Sequence, residues 1–422
     1  MSTLPATVRT TRLANGVRVA TEALTQARSV SLGLWVGVGA RDEGPGLAGA
    51  SHFLEHLLFK GTESRTAVDI AEAVEAVGGE MNAFTTHEYT AYHTRLPAEE
   101  LDLGLDLLAD VFLRPAFRAR EVEAERQVIL EELLMEEDCH DERVLSLLAE
   151  AMFPGHPLGA EVLGCRATVE AMTPADIAGF HHAWYRPENL VVAAAGALDH
   201  DQVVTAVDRL LAGCEGGVAP LRQPPTVLPQ SCRVLTQRSE QAHLAVGMRA
   251  LDRHDDDRYA LAVANQVLGG GTSSRLFRTI REERGLAYSV YSFTSSYADT
   301  GALVAAAATA PSRLPEVLGL VHAELDRLLD HGVSDHEMDV AKGYLAGSTL
   351  LALEDSGSCM SRIGGSLLVH GEVVDLDEAL DRYRRITPTD VERALARVAA
   401  AGPRSVAVVG PLRRSQVERW VA

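Results

Sequence analysis

With 422 residues the chain exceeds one ordinary core, so two or more domains are expected. Its 46% hydrophobic and 23% charged residues are typical of a globular chain, and a formal net charge of -20 argues against nucleic acid or an anionic membrane surface as a partner. Five scattered cysteines with no CxxC spacing, no apolar run of membrane-spanning length and no signal-peptide pattern at the start lead to an expectation of a reducing, cytoplasmic setting in a bacterium.

Val30 to Val38 alternates apolar with small or polar residues and reads as a half-buried strand. After a turn over Arg41 to Gly46, Gly49 to Gly61 reads as one short helix, closed by Gly61, with Lys60 in its last turn. A second amphipathic helix starts near Arg65, buries Ile70, Val74 and Val77, and stops at Gly78-Gly79. Glu80 to Thr85 and Tyr89 to Leu96 form a predicted hairpin. Predicted helices follow over Pro97 to Phe112 and over Phe117 to Asp138. Thr173 caps another helix that opens on Pro174 and runs to Trp184, and Leu190 to Gly196 reads as a buried strand. His181-His182 reads as partly exposed surface.

Residues 212–230 hold three glycines and four prolines and read as a linker between two similar domains, 1–211 and 231–422. The two look like a duplication. Thr173-Pro174-Ala175-Asp176-Ile177 precedes an apolar strand and Gly196, and Thr387-Pro388-Thr389-Asp390-Val391 precedes another and Gly410, at an offset of 214. The same offset puts His52, Glu55 and His56 on Gln266, Gly269 and Gly270, so the second domain is expected to lack whatever those three residues supply.

That trio sits in the first short helix. His52 and His56 are four apart and so share a face, with Glu55 in the same arc. Two imidazoles suit a borderline metal, and a neighbouring carboxylate can handle a proton. Leu54, Leu57 and Leu58 would equally pack a helix whose polar rim happens to hold two histidines. A zinc site needs a third ligand, and the candidates lie on the predicted helix over Phe117 to Asp138. Glu125 and Glu132, seven apart, share a face. Glu121, Glu123, Glu131, Glu136 and Glu137 make the same segment look like a solvated acidic surface, and periodicity alone does not choose among them.

The motifs together do choose. His52-x-x-Glu55-His56, the segment Glu125-Arg126-x-Val128-Ile129-x-Glu131-Glu132, Gly78-Gly79-Glu80-Met81-Asn82-Ala83-Phe84-Thr85, Tyr185-Arg186-Pro187-Glu188-Asn189-Leu190 and Leu268-Gly269-Gly270-Gly271-Thr272-Ser273-Ser274-Arg275-Leu276-Phe277 resemble the pitrilysin family of inverzincin peptidases. That family includes the mitochondrial processing peptidases and bacterial single-module relatives. The resemblance implies an α+β fold of two similar domains, each a mostly antiparallel sheet with helices packed on one face. It implies a zinc-dependent endopeptidase that encloses extended peptides in a clamshell chamber. His52, His56 and Glu132 would be the zinc ligands, with Glu131 the rival of Glu132, and one Zn2+ is expected per chain. Glu55 would be the general base and Glu125 would support the site without ligating. Asn82, Ala83, Phe84 and Thr85 would form an exposed strand edge that pairs with the substrate backbone. Arg281 and Tyr288 would hold that backbone and support the developing oxyanion. In the family this pair comes from an opposing module, so a homodimer with Arg281 and Tyr288 supplied in trans is expected. The other outcome open to such a chain is a non-catalytic homologue that binds or scaffolds.

Overall fold

The computed structural model describes residues 8–421. Six strands form the first sheet: β1 (Val8–Arg12), β2 (Arg18–Ala23), β3 (Ser29–Val36), β4 (Glu80–Thr85), β5 (Thr90–Pro97) and β6 (Leu190–Gly196), in the order β1-β2-β6-β3-β5-β4. Only β2 and β6 run parallel. The second sheet holds β7 (Cys232–Thr236), β8 (Ala242–Ala250), β9 (Ala287–Ser296), β10 (Gly301–Thr309) and β11 (Ser405–Gly410), in the order β7-β11-β8-β10-β9, with β7 and β11 parallel. Strand for strand, the second sheet repeats the first without β1. The sequence reading passed over β1 and β2, which are short, rich in Thr and Arg, and in β1 largely exposed.

The helices over Pro174–Trp184 and Pro388–Ala400 match at the expected offset of 214 and start in the same way. Each threonine side chain accepts from the Asp backbone N–H three residues on, and that Asp accepts from the threonine backbone N–H in return. The offset shrinks elsewhere. Gly196 pairs with Val30, whereas Val409 pairs with His243 and so sets Gly410 against Ala242. From Val30 to Ala242 is 212 residues. A constant offset therefore fails between β3 and β8, and the one-to-one placement of His52, Glu55 and His56 on Gln266, Gly269 and Gly270 fails with it.

Two compact units follow from the packing: 8–133, 161–221 and 350–374 in one, and 134–160, 222–349 and 375–421 in the other. Between Leu210 and Cys232 the chain has no helix or strand. The units nevertheless cut across the two chain halves, because each takes one helix from the other half.

In the first unit one face of the sheet buries Val30, Leu32, Leu34, Val36, Val192 and Ala194 under helices of the first half. The opposite face presents Trp35, Ala91, Val191, Ala193 and Ala195 to the helix over Ser356–His370. Gly33 and Gly364 allow that approach: a Cβ at Gly33 would meet the Trp35 ring at 2.2 Å, and one at Gly364 would meet it at 2.7 Å. The Arg362–Glu22 ion pair at 3.0 Å and the Ser31–Ser356 hydroxyl contact at 2.9 Å fasten the helix down. β3 is thus buried on both faces rather than half-buried as its alternation predicted, because Ser31, Gly33 and Trp35 face a helix and not water.

The second unit repeats the device. Its far face, Ala245, Val304, Ala306, Ala407 and Val409, packs against Val144, Leu147, Leu148 and Met152 of the helix over His140–Met152. Each unit is therefore a sheet with a layer of helices on one face and a single exchanged helix on the other.

Candidate metal and catalytic centre

The helix that carries the His-x-x-Glu-His motif runs over Ala50–Leu58, and the turn after it ends at Gly61, whose φ is 117°. At its start Gly49 takes a φ of 93°, and a Cβ there would meet the Leu163 carbonyl oxygen at 2.6 Å. A glycine cap has no side chain to accept from the first N–H groups. The Glu43 carboxylate does so instead, from Gly49 N and Ser51 N, each at 2.7 Å. Burial pushes the Glu43 carboxyl up to about 7, opposed by these two donors. Sequence reading missed Glu43. The one available sign was a glycine start to a polar helix, which requires a cap from elsewhere.

His52 and His56 lie side by side, with ring centroids 4.7 Å apart. Burial, with the second imidazole beside it, pushes His52 down to about 4, so its ring is neutral and keeps a lone pair at neutral pH. Opposite them is the long helix over Ala119–Asp138. Its Glu132 Oε2 lies 3.6 Å from His52 Nε2 and 3.5 Å from His56 Nε2. Glu131 is exposed, and the group that gathers is His52, His56 and Glu132. The gaps are long for hydrogen bonds. They suit a shared ion, since two ligands about 2.1 Å from a tetrahedral zinc stand about 3.4 Å apart. His52 Nδ1 is buried with no hydrogen-bond partner, so only Nε2 of that ring is directed at another polar group. Two imidazoles and a carboxylate thus fit a zinc ion that keeps a fourth position open.

The supporting contacts hold the donors in place. Glu125 Oε2 lies 3.2 Å from His56 Nδ1, and Glu125 Oε1 lies 2.8 Å from Lys60 Nζ. Arg126 ties the two helices together. Its guanidinium donates to the Val169 and Met172 carbonyls and stands 5.4 Å over the Phe53 ring of the motif helix. Neither Lys60 nor Arg126 was singled out as a support from sequence.

Glu55 lies beside the cluster and accepts from Thr85 Oγ1 at 2.6 Å. Burial pushes the Glu55 carboxyl up, with Thr85 opposing and the charge of Glu132 adding to it. Thr85 ends β4, which is the last strand of its sheet and pairs with β5 alone among the described residues. Met81, Ala83 and Thr85 turn inward, while Asn82 and Phe84 are exposed. The Asn82 side-chain oxygen accepts from Ala83 N at 2.8 Å.

Arg281 and Tyr288 belong to the second unit and pair with each other. The Arg281 guanidinium lies 4.4 Å over the Tyr288 ring and donates to the Tyr288 carbonyl at 3.0 Å. Tyr288 is the second residue of the edge strand β9 and is 79% exposed. The helix over Arg258–Gly269, which packs against β9, contains no His, Cys, Asp or Glu at any offset. His182 is exposed as expected. His181 is partly exposed and bonds the Phe112 carbonyl at 2.8 Å beside the Phe112 and Phe117 rings. No helix among the described residues is long and apolar enough to cross a membrane.

Two family models match successive parts of the chain. Residues 18–166 match the family model described as Insulinase (Peptidase family M16), and residues 171–345 match the one described as Peptidase M16 inactive domain. An uncharacterized zinc protease of Streptomyces coelicolor is 45% identical over 98% of this chain and 92% of its own. Another, from Bacillus subtilis, is 36% identical over 94% of this chain and 97% of its own. Two solved structures share the fold. The peptidase M16 inactive domain from Pseudomonas fluorescens has a TM-score of 0.90 at 22% identity, covering 96% of this chain and 98% of its own. A Helicobacter pylori protease has a TM-score of 0.88 at 21% identity, covering 97% and 100%. With the His-x-x-Glu-His motif in its first unit and both family models matched, this chain belongs to peptidase family M16, among relatives named zinc proteases.

Proposed function

We propose that the chain is a zinc metalloendopeptidase acting on extended or unfolded peptides. The observation that carries this reading is the convergence of His52 Nε2, His56 Nε2 and Glu132 Oε2, with the Glu55 carboxylate beside them and held by Thr85. His52, His56 and Glu132 would hold one Zn2+ per chain, which supplies Lewis-acid activation of water and of the peptide carbonyl. Glu55 takes the proton from water and passes it to the leaving amine, and its raised affinity for a proton suits both steps. Glu125 keeps His56 oriented with Nε2 toward the ligand cluster. The free edge of β4 receives the substrate backbone as an added strand, so Asn82 to Thr85 would bind main chain with little demand on side chains.

Arg281 and Tyr288 complete the site from a second copy of the chain. Arg281 fixes the tyrosine ring, and the exposed hydroxyl end is free to donate to the oxyanion.

The test is metal content together with cleavage of a quenched peptide, with and without a chelator. Glu55→Gln should keep its zinc and lose on the order of 10²–10⁴-fold in turnover. Zinc-loaded wild-type protein that cleaves nothing would favour a peptide-binding scaffold instead. For the dimer, two inactive variants, Glu55→Gln and Tyr288→Phe, should regain activity when mixed. Continued inactivity of the mixture, or full activity of a monomer in sedimentation, overturns the trans arrangement.

A further inference from the structure

We propose that Lys60 is a positioning residue of the metal centre, acting on His56 through Glu125. The inference rests on the zinc reading above. Of the 39 basic residues only Lys60 and Lys342 are lysine, so arginine is this chain's default cation and Lys60 is a departure from it. Lys60 lies two residues beyond the end of the motif helix, in the turn that its backbone N–H closes onto the Leu57 carbonyl at 3.0 Å. Its Nζ lies 2.8 Å from Glu125 Oε1, and the other oxygen of that carboxylate lies 3.2 Å from His56 Nδ1. The carboxylate is 7% exposed, so water is not a ready substitute for either partner.

The chemistry depends on dividing the two oxygens. A lysine ammonium is a point charge that can occupy one oxygen and leave the other as acceptor for the His56 Nδ1–H. With that hydrogen on Nδ1, the Nε2 lone pair is directed toward Glu132 Oε2 and His52 Nε2, where the ion would sit. Arginine would do the opposite. Its planar fork prefers both oxygens of a carboxylate at once and would draw Oε2 away from the imidazole. Without any cation, Glu125 keeps only its contact to His56 and is free to rotate. Lys60 is 39% exposed, so its replacement leaves the core of the unit intact.

The experiment measures zinc affinity of the purified full chain by competition with a chelator, and separately the ¹⁵N shifts of His56 in the metal-free protein. Lys60→Met should weaken zinc on the order of 10-fold, and its metal-free His56 should populate both tautomers where the wild type holds the Nδ1–H form. Lys60→Arg should weaken zinc as well, despite keeping the charge. The metal-free unfolding midpoint should stay with that of the wild type in both variants, which separates positioning from general stability. Unchanged zinc affinity in Lys60→Met, or wild-type affinity in Lys60→Arg, overturns the proposal. Failure of the wild-type protein itself to bind zinc would instead overturn the metal reading beneath it.

Discussion

The two units are built on one plan and differ in chemistry. Each has a sheet with one parallel and otherwise antiparallel pairs, a helix after β3 or its counterpart β8 lying against the edge strand, and one exchanged helix on the far face. In the first unit that helix is short, capped from Glu43, and carries two imidazoles and a carboxylate. In the second it is longer and carries no metal-ligating side chain, while the adjacent edge strand presents Tyr288. The comparison teaches that the topology needs none of the polar residues of the site. The scaffold is set by alternating apolar strands and covered faces, and the site is an addition to one copy.

The largest effect that sharpens this contrast is at the ligands. His56→Ala should abolish stoichiometric zinc by atomic absorption, whereas Gln266→Ala in the second unit should leave zinc content unchanged. A loss of metal in the Gln266 variant would break the contrast outright. Next in size are the exchanged helices, where the units should behave alike. Trp35→Ala removes the largest side chain under one of them and should cost about 3–5 kcal/mol. Met152→Ala, on the other helix and facing its sheet, should cost about 2–5 kcal/mol. Urea unfolding reads both, and a negligible change in either would mean that its far face is not a true core. The smallest effect is electrostatic and belongs to the second unit. The Arg275 guanidinium, with help from Ser334, holds the Glu337 carboxyl down to about 2. A depressed carboxylate contributes stability above its unfolded value, and that contribution fades as pH falls toward the folded one. The stability lead of wild type over Glu337→Gln should therefore be full at pH 6 and shrink from about pH 4.5 to pH 2. A lead independent of pH would detach Glu337 from Arg275.

The elements that carry strong periodicity were legible without coordinates, including the motif helix, the hairpin of β4 and β5, and the paired helices opened by Thr173 and Thr387. His52, Glu55 and His56 were legible because four-residue spacing on a helix fixes a shared face. Glu132 was not separable from its acidic neighbours by periodicity, since a helix crowded with glutamates looks the same whether one of them faces a metal or none does. Family resemblance made that choice. Glu43 was hidden because its role is a contact across a loop, and a turn glutamate has no local signature. Lys60 was read as a cation suited to a helix end, and its actual partner is on another helix. The exchanged helices were hidden for a similar reason: an amphipathic pattern shows that a face will be buried but not against which sheet. That is also why β3 looked half-buried.

The exchange of helices has a consequence for how the molecule comes into being. The far face of the first sheet, with Trp35 at its centre, is covered by residues 356–370, more than three hundred positions downstream. During synthesis the first sheet can pair its own strands long before its cover exists, and it must keep an apolar surface waiting meanwhile. The second sheet has the opposite timing, because its cover, His140–Met152, is made before any of its strands. Neither sheet is covered on both faces by its own half of the chain, so the motif-bearing unit is completed only after residues 356–370 have been made. The candidate centre is thereby tied to a helix made more than two hundred residues after Glu132.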